Sequence, residues 1–346
     1  MPIYLDHAAT TPIRREVLDK MLTILCHFTG GPSGAHSVAR RADMIKEEAR
    51  RATLDCLGVE SGQIRFVTGG RQASELAVLG LALGHKSGHV ITTTDEDEGV
   101  LAACRTLERQ GFRVSYLPLD EQGLLDLDLL EETLDADTVL VSVALVNRFT
   151  GCRQPFEELI RLCGARDVLI HSDFSLGCLL DLELDSLRLD AISLSSHLLG
   201  GPHDIGALWT RDGLELQHPC LECENLANIV GFTQALCYLA DERSDWVASL
   251  RGLENEFSGL LTNALPLAEF CLSGWHAGIL TLRVPSTVAR HLVYHLDRWG
   301  VCVSETPYGV RFSLGRTTTS QELAKTVLVL ESALRSQAQS SLGVAS

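Results

Sequence analysis

The chain has 346 residues, 45% of them hydrophobic, enough for a large buried core read as one large domain and a smaller one. Its 29 Lys plus Arg against 45 Asp plus Glu give a charge of −16, which argues against nucleic-acid and membrane-surface roles. No apolar run approaches the ~20 residues that span a bilayer, and the opening "MPIYLDHAATTPIRREV" lacks a signal-peptide pattern. The 11 cysteines show no disulfide-framework rhythm and fit reduced thiols in a cytoplasm.

In chain order, "FVTGGRQAS" (66–74) predicts a strand end, a Gly69-Gly70 turn and a helix start. The exposed N–H groups of such a start suit a phosphate or carboxylate, although the same dipeptide also makes plain tight turns. Apolar, β-rich runs at 88–94, 112–119, 138–145, 167–173, 190–196 and 206–210 read as strands, with helical patterns at 96–110, 125–135 and 155–164 among them. Such alternation predicts a mainly parallel sheet covered on both faces, with ligands beyond the carboxyl ends of its strands. "HSD" (171–173) puts Asp173 at that edge, to hold a protonated ring nitrogen or to cap a helix. "SLSSHLLGGPHDIGALW" (193–209) puts Ser195 and His197 at the same edge, able to bind one anion or to serve as structural groups.

"HPCLEC" (218–223) sets Cys220 and Cys223 in CxxC spacing beside His218. That is too few ligands for zinc or an iron–sulfur cluster, and compatible with a redox pair or with two ordinary thiols. A long amphipathic segment, roughly 226–264, follows. A strand at 278–284, a helix at 286–299, strands at 300–305 and 309–315 and a helix at 319–336 then predict a compact α+β domain.

Taken in order, "IYLDHAATTP" (3–12), "GGPSGAH" (30–36), "FVTGGRQAS", "VNRFTG" (146–151), "HSD", "SLSSHLLGGPHDIGALW", "ENLANIVGF" (224–232) and "VRFSLGR" (310–316) resemble the cysteine desulfurases. These belong to the class V branch of the pyridoxal-phosphate (PLP) aminotransferases, and the resemblance covers nearly the whole chain. It implies the α/β fold type I of PLP-dependent transferases: a large domain at 13–245 with a mainly parallel central sheet, a small α+β domain made of 1–12 and 246–336, and a flexible tail at 337–346. It also implies a dimer, of this chain with itself or with an active paralogue.

The motifs depart from the family where its chemistry lies. The family's Ser-x-His-Lys turn, whose Lys forms the Schiff base, reads Ser195-Ser196-His197-Leu198. An alkyl group can neither form the imine nor shuttle the substrate proton. Asp97 stands after Glu96 where the family stacks a His on the ring, and Leu176 replaces the Gln that follows Asp173. The Asn-Asn-Glu-Thr-Gly element becomes Asn147-Arg148-Phe149-Thr150-Gly151, and Gly-Gly-Thr-Glu becomes Gly69-Gly70-Arg71-Gln72. The loop bearing the nucleophilic Cys is essentially deleted between Ser304 and Arg311. Cys302 falls before it within a strand, and Arg311 matches the family's substrate-carboxylate arginine.

These losses predict a pseudoenzyme with no catalytic residue, no metal, no cofactor and PLP binding lost. They leave a vestigial pocket of Gly69, Gly70, Arg71, Asn147, Asp173, Ser195, His197 and Arg311. The expected role is a scaffold, regulator or partner subunit in sulfur transfer or iron–sulfur cluster assembly. Two other readings stay open: a phosphate or other anion as ligand or substrate in the old pocket, and a PLP or persulfide enzyme using Cys220 and Cys223.

Overall fold

Short runs of β-branched and leucine residues alternate with amphipathic helices along a computed structural model that describes residues 2–28, 34–180, 184–218, 222–271 and 277–343. In chain order the elements are β1 (Ile3–Tyr4), α1 (Arg15–His27), α2 (Ser37–Leu57), β2 (Gln63–Val67), α3 (Gly70–Ala82), β3 (His89–Thr93), α4 (Glu98–Arg109) and β4 (Arg113–Leu117). They continue with α5 (Leu127–Thr133), β5 (Thr138–Ser142), α6 (Phe156–Gly164), β6 (Leu169–Asp173), β7 (Ala191–Ser195), β8 (Gly206–Thr210), α7 (Leu226–Asp241) and α8 (Arg243–Ala264). The last are β9 (Phe270–Cys271), β10 (Ile279–Arg283), α9 (Ser286–Arg298), β11 (Val301–Cys302), β12 (Ser304–Thr306), β13 (Gly309–Ser313) and α10 (Ser320–Gly343).

The central sheet has seven strands in the order β2-β8-β7-β6-β5-β3-β4. Neighbours from β7 to β4 run parallel, whereas β8 is antiparallel to both β7 and β2. The mainly parallel sheet expected from the sequence is therefore present. Alternate residues feed opposite cores, as the pleat requires. Val90, Leu140 and Ala191 pack with Leu76 and Leu79 of α3 and Leu107 of α4. Their neighbours Ile91, Val141 and Ile192 pack with Leu57 of α2, Leu159 of α6 and Phe232 of α7.

A four-stranded antiparallel sheet, β12-β13-β10-β9, packs under α8, α9 and α10. Ile3 and Leu5 join the same cluster, with Phe257 edge-on to Phe312 at 5.5 Å. The chain start is held there by β1, which pairs in parallel with β11. Thr319 and Glu322 cap α10 reciprocally, side chain to backbone in both directions.

Three expectations change. The segment 226–264 is two helices, broken at Glu242, whose carboxylate receives Arg14 and Arg316. The stretch 300–305 is two short strands, one paired with β1 and one with β13. Helix α10 continues to Gly343, into the stretch read as tail. Among the described residues no helix is long and apolar enough to cross a membrane.

Candidate functional site

A cavity of about 350 Å³ opens at the carboxyl ends of β6 and β7, beside the start of α3 and under Ala8 and Ala9. Local packing explains its Gly-Gly turn. Gly69 has φ +155°, a conformation side chains disfavour, and a Cβ on Gly70 would lie 2.6 Å from the Ser195 Cβ. The start of α3 is thus pressed onto the end of β7, with Thr68, Gly69, Gly70, Arg71 and Ser195 in one wall. Gln72 serves this turn, because its Oε1 accepts from the Thr68 N–H at 2.8 Å and hydroxyl at 2.9 Å.

Asp173 faces the cavity from the end of β6. Its Oδ1 accepts from the Ser175 hydroxyl at 2.7 Å and N–H at 2.9 Å, and the Ser195 N–H donates to the Ser175 oxygen at 3.0 Å. Burial pushes the Asp173 carboxyl up, against those two bonds. His197 lines the cavity with its ring stacked on His203 at 5.3 Å. Its buried Nδ1 has no hydrogen-bond partner, and burial followed by the nearby His203 lowers its pKa.

The opposite wall differs from the sequence expectation. Asp97 caps α4 by accepting from the Gly99 N–H at 2.9 Å, and it also takes Arg148 Nη1 at 2.7 Å. Arg71 approaches the same carboxylate at 3.8 Å, with 69% of its side chain exposed. An ion pair therefore occupies the side where a ring-stacking His was sought. Leu176 and Leu198 complete the lining. None of the lysines of the sequence, Lys20, Lys46, Lys86 and Lys325, reaches it.

Two residues expected in the pocket lie outside its lining. Asn147 is buried and fully occupied, its amide N donating to Asp95 and the Gly123 carbonyl while its oxygen accepts from the Phe149 and Thr150 N–H groups. Arg311, also buried, donates to Asp6 Oδ1 at 2.8 Å and to the Arg148 carbonyl at 2.9 Å.

β12 passes to β13 through Pro307 and Tyr308 alone, closed by Thr306 donating to the Gly309 carbonyl. Cys302 sits in β11 away from the cavity, its thiol pushed up by burial. Cys223 is buried and His218 half-buried, while Cys220 lies outside the described residues. Among the described residues no cluster of three metal-ligating side chains occurs.

Sequence reasoning missed His203 and Asp204 in the lining and Glu96 behind it. Their signal was available: "PHD" directly follows the Gly-Gly turn, and Glu96 sits between two other carboxylates.

The aminotransferase class-V family model matches residues 3–224. The cysteine desulfurase IscS of Dictyoglomus turgidum is 31% identical, over 95% of this chain and 93% of that protein. IscS 1 of Archaeoglobus fulgidus is 29% identical, over 96% and 88% respectively. The mitochondrial cysteine desulfurase of Drosophila melanogaster is 40% identical over a stretch spanning 61% of this chain and 46% of that one. A solved NifS-like protein superposes with a TM-score of 0.90 at 25% identity, over 97% of this chain and all of the other.

These matches overturn the expectation that the chain takes no cofactor, because the family is one of PLP enzymes and the comparison points to PLP. The residues fit part of that group. The N–H groups at the start of α3, with Ser195, suit its phosphate, and Asp173 suits its ring nitrogen. Leu198 offers its aldehyde no amine, so PLP would be held here without a covalent link. With its motifs in family order, its fold shared and its relatives matched along nearly all of its length, this chain belongs to the class V aminotransferases as a cysteine desulfurase-like member.

Proposed function

We propose that this chain does not itself release sulfur from cysteine. In this reading it is a cytoplasmic partner or regulatory subunit in sulfur transfer or iron–sulfur assembly, dimerising with itself or with an active paralogue. The observation that carries this reading is the lining of the cavity: Leu198, which the motif resemblance aligns with the family's Schiff-base lysine, lies in it, and none of the chain's lysines does. The names of the relatives speak for an active desulfurase, and the departure lies in this chain's own residues. The tight β12–β13 turn leaves no loop to carry a nucleophilic thiol, which supports the same reading.

The experiment is incubation of the full chain with PLP, followed by cysteine and by borohydride. The expected result is no sulfide above a protein-free control, with borohydride adducts, mapped by peptide mass spectrometry, confined to the exposed Lys20, Lys86 and Lys325 and the chain's amino terminus. Sustained sulfide release overturns the proposal.

A second reading, an anion-binding pocket put to new use, is favoured by the unpartnered Nδ1 of His197 and by exposed Arg71 at the rim. It predicts that inorganic phosphate competes with PLP in the same incubation. Buried Cys223 gives the persulfide reading no support.

A further inference from the structure

The geometry points to a second binding site, for a small apolar carboxylate, in a cavity of about 250 Å³ between the central sheet and the four-stranded sheet. Its walls are apolar: Leu179, Leu199, Leu239, Trp246 and Ile279 come from both halves of the structure. A dry cavity of roughly 150 Å³ already holds a benzene-sized molecule, so this one has room for a chain of about eight carbons. Leu176, Leu198 and Ala8 form a wall common to it and to the polar cavity. A lysine at 198 would set an ammonium group against this apolar lining, whereas Leu198 completes it.

One polar side chain in the lining is left unanswered. His7 is 6% exposed, and neither of its ring nitrogens has a hydrogen-bond partner. The ring is held in place by Tyr4, edge-on at 4.9 Å, and by Gly315, where a Cβ would lie 2.2 Å from it. Burial lowers its pKa against a weaker pull from the Tyr4 backbone and Asp6, so the ring is neutral and offers one N–H and one lone pair. A buried polar group without a partner costs about 1–3 kcal/mol, which a ligand oxygen would relieve.

The charged groups of the lining are all cations. Arg14, Arg15 and Arg316 border the cavity, and among the described residues no carboxylate does. Their partners Glu242, Glu16 and Asp19 lie outside the lining, and because Arg14 and Arg316 share the single carboxylate of Glu242, that group keeps a net positive charge and spare N–H donors for a ligand. Apolar walls, a neutral imidazole and guanidiniums together select an aliphatic or aromatic acid over a neutral or cationic molecule of the same size.

The test is calorimetric titration of the full chain with octanoate and with 1-octanol, in excess inorganic phosphate to fill the polar cavity. Octanoate should bind saturably at one site per chain, and octanol about tenfold more weakly for want of the charge-assisted bonds. His7→Phe keeps the ring shape and removes the orphaned nitrogens. It should raise the melting temperature of the free chain while weakening octanoate about tenfold. Leu179→Trp, which fills the cavity without touching the polar one, should abolish binding. Failure of the wild type to take up octanoate, equal affinity for octanol, or unchanged affinity in His7→Phe overturns the proposal. His7→Phe decides the matter if Leu179→Trp does not fold.

Discussion

Glu96 is buried behind the polar cavity, accepting from the Thr93 hydroxyl at 2.8 Å and from the Ala144 N–H at 3.1 Å. Burial pushes its pKa to about 8, with Asp173 and Asp95 adding to the rise against the two hydrogen bonds. A carboxyl whose folded pKa exceeds its unfolded one takes up a proton on folding at every pH between the two. Its contribution is therefore greatest below about 4.5 and is lost as pH rises toward 8. Glu96→Gln should flatten this slope and raise stability at pH 7 by about 2 kcal/mol, as read by urea unfolding across that range. The neighbouring Asp97 shows what a sequence can and cannot disclose at this scale. That it is no aromatic was legible, and an Asp directly before a helical pattern is also a local capping signal; that it would bind Arg148 needed two loops brought together in space.

At the scale of elements, the contact between α3 and β7 shapes the polar cavity. Gly70→Ala places a methyl 2.6 Å from the Ser195 Cβ, so the helix start must lift away. The expected cost is about 1–3 kcal/mol in thermal unfolding, together with weaker retention of phosphate, because the N–H groups move with the helix. The central strands were legible as apolar runs, since a strand covered on both faces needs apolar residues on each. The direction of β8 was not legible, because a buried strand has the same composition whichever way it runs. The break at Glu242 escaped for a similar reason: apolar periodicity continues through it, and the kink is fixed by Arg14 and Arg316 from distant segments.

Across the whole molecule, the chain start is tied to the four-stranded sheet by Asp6 and Arg311 at 2.8 Å, with the Arg311 side chain only 4% exposed. Asp6→Asn would leave a buried guanidinium without its counter-charge, at a cost of about 3 kcal/mol in chemical denaturation. The same pair explains a partial success of the sequence reading: the motif around Arg311 was recognised, but its engagement with Asp6 depends on residues three hundred positions away.

The β12–β13 turn has a further consequence. The Tyr308 hydroxyl donates to Asp95 at 2.7 Å and its ring leans on Phe149 at 6.5 Å, so the tip of the hairpin is latched to the rim of the central sheet. A latched tip has no reach. Between Ser304 and Arg311 the sequence holds no cysteine that could swing over the cavity, so in the proposed function the sulfur handled there comes on a diffusing molecule or on the arm of another chain. Under the function proposed above, the protein is thereby a berth for cargo that others carry.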